Sequence, residues 1–162
     1  MRVRPALVAD ISAIIAVELS AGALFAGTHM DWAVGEVSTP DELTAPIEHG
    51  HVWVAEESKE IAGYLCGEQL GDHFYIEEVS VAAGYQRRGI GRLLIDTVAD
   101  EARRQGFSAL SLTTDRTLPW NAPYYERLGF RTLTSEQTPS PLAAELAAKP
   151  HAHLRCAMLR DL

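Results

Sequence analysis

The run "GYQRRGIGRLLIDTV", Gly84 to Val98, puts two adjacent arginines and two glycines directly before an apolar helical pattern, in a chain whose net charge is −8. Gly89 and Gly91 fall where a strand pattern gives way to a helix. The first N–H groups of a helix have no intrahelical acceptor, and the macrodipole is positive there, so this terminus attracts an anion. Glycine permits unusual dihedrals and close approach of a bulky ligand, while Arg87, Arg88 and Arg92 carry charge suited to phosphate oxygens. Two familiar phosphate loops do not match. There is no GxxxxGK[ST], and Leu94 stands where a dinucleotide fingerprint needs its third glycine.

Upstream lie three strand-like runs, "HVWVAEE", "IAGYLCGEQL" and "HFYIEEVSVAA", separated by turns at Ser58–Lys59 and Gly71–Asp72. Connections this short predict an antiparallel meander. Before them come a short strand "RVRPA", a helix with Ile11, Ile14, Ile15 and Leu19 at helical spacing, and a second helix opened by a capping box of Thr39, Pro40 and Glu42. Downstream, the stripe Ile90, Leu93, Leu94 and Val98 predicts a helix ended by Gly106. "SALSLTT" then reads as a buried strand parallel to a neighbour, "NAPYYERLG" as a helix capped at Gly129, and "FRTL" as a strand paired with "HLRCAML" after a small helix at 142–148. The order β α α β β β α β α β (α) β describes a mixed α/β (α+β) domain.

With 162 residues, 47% hydrophobic and 22% charged, the chain suits one domain with a full core. Its 14 basic and 22 acidic residues give an average surface that repels phosphate backbones and anionic membranes, which disfavours nonspecific nucleic-acid binding. Cys66 and Cys156 belong to no metal or redox spacing and read as reduced thiols. Among six histidines there is no HExxH, and His151 with His153, an i,i+2 pair expected on one face of a strand, reads as surface or packing, so no metal is expected. No stretch is read as reaching the roughly 18 apolar residues of a membrane span. The expected location is the cytoplasm, with no membrane and no nucleic-acid partner.

The segment "VSVAAGYQRRGIGRLLI", with Gln86-Arg87-Arg88-Gly89-Ile90-Gly91 as a Q/R-x-x-G-x-G/A signature, and "NAPYYERLGF" at the right distance downstream resemble the GNAT superfamily of acyl-coenzyme A dependent N-acetyltransferases. The resemblance is closest from about His51 to Leu133 and implies one such domain over residues 1–162. It also implies a mixed, mostly antiparallel central sheet flanked by helices and splayed between its fourth and fifth strands. By the same resemblance, the amides of Arg87 to Arg92 hold the coenzyme A diphosphate, Val79, Ser80 and Val81 give main-chain contacts to pantetheine, and Asn121 lies near that arm. Acetyl-coenzyme A is then the cosubstrate. Tyr125 matches the family's donor to the departing thiolate.

Attack by an amine requires a base. Glu77 and Glu78 are adjacent carboxylates on the strand before the loop, and alternation sends at least one of them to the interior or a cleft. Period two puts Glu77 with Val79 and Val81, a bulge would reverse this, and pairing with an arginine is the non-catalytic alternative. Glu77 is the first candidate and Glu78 the second. The family's acceptor pocket maps to Phe25, His29, Met30, Trp32 and Trp120, aromatic walls that suit a small amine and equally suit packing. "LTTD" at Leu112 to Asp115 departs from the glutamate-bearing run of many peptide N-terminal acetyltransferases, which weakens that alternative. A noncatalytic acyl-coenzyme A sensor is the other. Dimerisation is common in the family, so the resemblance allows both a monomer and a homodimer.

Overall fold

The computed structural model describes residues 1–162. Its elements are β1 (Arg2–Pro5), α1 (Ile11–Gly22), α2 (Pro40–Glu48), β2 (Val52–Glu57), β3 (Glu60–Leu70), β4 (His73–Val81), α3 (Ile90–Arg104), β5 (Ala109–Asp115), α4 (Ala122–Arg127), β6 (Arg131–Thr132), α5 (Ser140–Ala148) and β7 (Arg155–Asp161). The strands follow the order β1-β2-β3-β4-β5-β7-β6. β4 and β5 are parallel, and β1–β2, β2–β3, β5–β7 and β6–β7 are antiparallel. This is the mixed, mostly antiparallel sheet expected from the meander and the later crossover.

Contacts group the chain into two compact units. The first comprises Met1–Gly67 and Glu78–Val98. Its core joins Ile11, Ile14 and Val17 of α1, Leu43 and Ile47 of α2, and Val52, Val54 and Tyr64 of the strands. α2 starts where the sequence says: Glu42 N donates to Thr39 Oγ1 at 3.3 Å, Thr39 N donates to Glu42 Oε2 at 2.8 Å, and Pro40 takes the first helical position. The expected stripe of α1 is corrected at one position. Leu19 is 56% exposed, and Glu18 occupies the buried position beside it.

The Glu18 carboxylate accepts from Ser38 N (2.6 Å), Ser38 Oγ (2.7 Å) and the Tyr64 hydroxyl. A buried carboxylate needs such partners to offset its lost hydration. Burial, followed by the neighbouring charges of Glu78, Cys66 and Glu18, pushes the Tyr64 hydroxyl well above the ordinary phenol range. Residues Val8–Phe25, with mean hydropathy 1.8, do reach the length and apolarity of a membrane span, contrary to the sequence expectation. In this fold they form α1 and its flanking 3-10 turns, and Ile11, Ile14 and Val17 enter the core.

The second unit comprises Glu68–Glu77 and Ala99–Leu162. Tyr75, Ala109, Leu133, Leu142, Ala157 and Leu159 form its core, with Leu70 and Leu146 packed on it. The first-unit part of α3 also departs from its expected stripe. Ile90, Leu94, Ile95 and Val98 are buried, whereas Leu93 is exposed. Gly106 and Gly129, at φ +88° and +91°, close α3 and α4 in the left-handed conformation that glycine adopts most readily. His151 and His153 lie in a turn before β7 and not on a strand, so the expected shared face does not form.

Candidate active site

In the first unit, β4 leads through a 3-10 turn, Ala83–Tyr85, into the glycine-arginine loop. The turn is tied down at two points: Ala83 N donates to Ser20 Oγ at 2.9 Å, and Gln86 Nε2 donates to Val81 O at 3.2 Å. Arg87 then has φ +62° and Gly89 φ +78°. A left-handed non-glycine residue such as Arg87 carries about 1–2 kcal/mol of strain. A Cβ built on Gly89 would meet nothing within 4 Å, so the backbone conformation and not protein crowding demands glycine there. Leu93 N donates to Gly89 O at 3.0 Å, which opens α3 and leaves the preceding amides without intrahelical acceptors.

The three loop arginines are exposed and differ in their surroundings. Arg88 Nη2 lies 2.9 Å from each carboxylate oxygen of Glu57, with its guanidinium 5.3 Å from the centre of the Tyr85 ring. Tyr85 in turn donates to Glu60 at 2.7 Å. A turn with left-handed residues, amides at a helix start and arginine side chains is a donor set that fits a diphosphate.

β4 pairs with β5 only over His73–Tyr75 against Ala109–Ser111. β4 continues to Val81, so the peptide groups beyond Tyr75 have no strand partner on that edge. This is the expected splay. Ser80 is buried, and Val79 and Val81 are half-buried. A Cβ on Gly63 of β3 would lie 2.9 Å from Ser80 O, so glycine there permits the close approach of the two strands.

Both candidate bases are exposed, so neither is in the interior. Four consecutive buried residues, His73–Ile76, precede them, so the two-residue period breaks at this point of β4. Glu78 accepts from Ser80 Oγ. Glu77 belongs to the second unit, where its carboxylate meets those of Glu68 and Glu145, ligand atoms of all three lying within 4.8 Å. Partial loss of water, with Lys149 opposing and Glu68 and Glu145 adding to it, raises the Glu77 pKa from its ordinary value.

Also in the second unit, Tyr125 is half-buried on α4, its ring edge-on to Tyr124 at 5.4 Å and to Phe130 at 5.8 Å. Asn121 Nδ2 donates to Thr114 Oγ1 at 2.8 Å, which leaves the buried Oδ1 with no protein donor. Trp120 is half-buried in the turn before α4. The other four pocket candidates lie in the first unit, on a segment bonded to itself: Phe25 is half-buried and Trp32 43% exposed, with Thr28 N donating to Phe25 O and Gly27 N to Asp31 Oδ2. Met30 is buried and His29 exposed.

Sequence reasoning passed over a buried polar group of the second unit. The Tyr75 hydroxyl lies 3.3 Å from Thr113 Oγ1, and Arg155 Nη2 donates to Thr113 O at 2.8 Å and Oγ1 at 3.2 Å. The one available signal was a run of hydroxyl residues inside a strand that otherwise reads as buried.

Comparison with known proteins agrees with this fold. The model of the acetyltransferase (GNAT) family matches residues 23–130. A probable N-acetyltransferase, camello, of Xenopus tropicalis is 33% identical over 96 residues, which is 57% of this chain and 44% of the relative. The chain thus matches less than half the length of that protein. Among solved structures, the PaiA N-acetyltransferase of Thermoplasma acidophilum in complex with coenzyme A superposes with TM-score 0.76 at 15% identity, covering 99% of this chain and 98% of that one. N-acetylglutamate synthase from Neisseria gonorrhoeae, complexed with coenzyme A and N-acetyl-glutamate, gives TM-score 0.75 at 18% identity over 99% of this chain and 35% of that one.

Proposed function

The chain belongs to the acetyltransferase (GNAT) family, and from that premise we propose that it is an acetyl-coenzyme A dependent N-acetyltransferase acting on a primary amine of a small molecule. The observation that carries the reading is the left-handed Arg87–Gly89 turn at the start of α3, fed by a strand edge with no partner. When bound, acetyl-coenzyme A supplies an acetyl thioester activated toward an amine.

The amides from Arg87 to Arg92 hold the diphosphate, and the Arg87 and Arg92 side chains add charge to that end of the molecule. Main-chain groups of Val79, Ser80 and Val81 hold the pantetheine arm along the β4 edge. Asn121 Oδ1 is an acceptor for an amide N–H of the same arm. An alkylamine with pKa of about 10 is only ~0.1% neutral at pH 7, so a proton must be removed before attack. Glu77 is assigned that proton, because its raised pKa makes it a better acceptor than an ordinary carboxylate. Glu78 is the second choice, since it is engaged with Ser80. Glu68 and Glu145 beside Glu77 favour a cationic acceptor, and Phe25, Trp32 and Trp120 are assigned its apolar part. Tyr125 gives a proton to the thiolate that leaves.

The site of action we assign is the cytoplasm, where Cys66 and Cys156 stay as free thiols. A second copy of the chain is the assigned protein partner. The deciding assay is thiol release from acetyl-coenzyme A with a panel of small amines and short peptides. Release above background hydrolysis with small cationic amines supports the reading. Activity on peptides alone overturns the acceptor class, and coenzyme A binding without turnover by any amine overturns the enzyme.

A further inference from the structure

The tip of the β2–β3 hairpin faces the loop with two carboxylates. Glu57 and Glu60 flank Ser58 and Lys59, both left-handed at φ +51° and +69°, in the tight turn whose twist suits a two-residue hairpin. Each carboxylate takes one end of the loop. Glu60 accepts from Tyr85 and Glu57 from Arg88, while the Arg88 guanidinium covers the Tyr85 ring. Between these anchors sits Arg87 in its left-handed conformation. A non-glycine residue stays there only where its surroundings hold it.

We propose that Glu57 is a positioning residue for the coenzyme A diphosphate, acting through Arg88 to hold the Arg87–Gly89 turn in its binding form. The proposal rests on reading that turn as the diphosphate cradle. Glu57 lies outside the signature, on a hairpin, and is a carboxylate beside a site for an anion. Simple electrostatics therefore gives its removal one sign and positioning gives it the other. As a mere neighbouring charge, Glu57 opposes a polyanion, and Glu57→Gln would tighten binding. As a clamp, it lowers the entropy cost of ordering the loop, and Glu57→Gln weakens binding.

The test is calorimetry of coenzyme A with the intact chain and with Glu57→Gln, Arg88→Met, their double variant and Gly89→Val, each checked by thermal melting. Clamping predicts about three- to fivefold weaker binding for Glu57→Gln, the upper range for an exposed pair. The KM for acetyl-coenzyme A rises by the same factor with kcat unchanged. Amide exchange at Arg87 to Gly91 quickens while the melting temperature holds, and the double variant binds no more weakly than Arg88→Met. Unchanged or tighter binding by Glu57→Gln overturns the proposal, as do effects that multiply in the double variant. If Gly89→Val binds like the unaltered chain, the cradle reading itself is wrong. If Gly89→Val loses binding and Glu57→Gln does not, only the clamp is.

Discussion

A carboxylate crowded by others and a glycine with space around it are unlike positions whose consequences can be measured separately. The folded pKa of Glu77 lies above its ordinary value, so the native state keeps its proton to a higher pH than the unfolded chain does. The stability tied to that proton is complete below the unfolded pKa and is lost as pH rises through the folded one. Glu77→Gln removes this loss. The variant should therefore melt higher than the parent at pH 7.5 and the same as the parent near pH 4, by calorimetry at both. At Gly89 the demand is for φ +78° and not for space. Gly89→Asn should retain more coenzyme A affinity than Gly89→Ala, since Asn tolerates the left-handed region better. Tyr125→Phe keeps the ring contacts with Tyr124 and Phe130 and removes only the hydroxyl. If that hydroxyl is the proton donor, kcat should fall by about 10²-fold, with coenzyme A affinity unchanged in calorimetry.

Among the elements, α1 shows both the reach and the limit of sequence patterns. Its two buried neighbours, Val17 and Glu18, sit beside an exposed Leu19, and apolar periodicity alone picks the leucine. What buries Glu18 is nonlocal: Ser38 on the segment before α2 and Tyr64 on β3. Glu18→Ala leaves three donors without their acceptor, so it should cost about 2–4 kcal/mol in denaturant unfolding. Thr39→Ala, which removes a local cap, should cost only ~1 kcal/mol. The Thr39 box was legible because all its parts lie within four residues. The β4–β5 crossover was legible from its helix, and the loop from its glycines. The break in alternation at Glu77–Glu78 was not, because it follows from where β4 parts from β5, and no residue type marks that point. The cluster of Glu77 with Glu145 was hidden for the same reason, since it depends on the placement of α5.

At the scale of the whole molecule, a net charge of −8 and a pI of about 5.2 set a field that a polyanionic ligand must cross to reach a small patch of arginines. Eight charges repel each ligand charge by ~1.3 kcal/mol at ~25 Å in unscreened water. At 10 mM salt the screening length of about 30 Å lets that repulsion act over the approach, whereas at 150 mM it shrinks to about 8 Å. Contacts at the loop act over hydrogen-bond distances and are reduced much less. The association rate of coenzyme A should therefore rise between 10 and 150 mM salt, the reverse of a protein whose net field steers its anionic ligand. Stopped-flow binding over that range reads the rate directly. A rate that falls with salt would mean that the arginines of the loop dominate the field at a distance, and that the acidic balance of the chain lies on faces the ligand never meets.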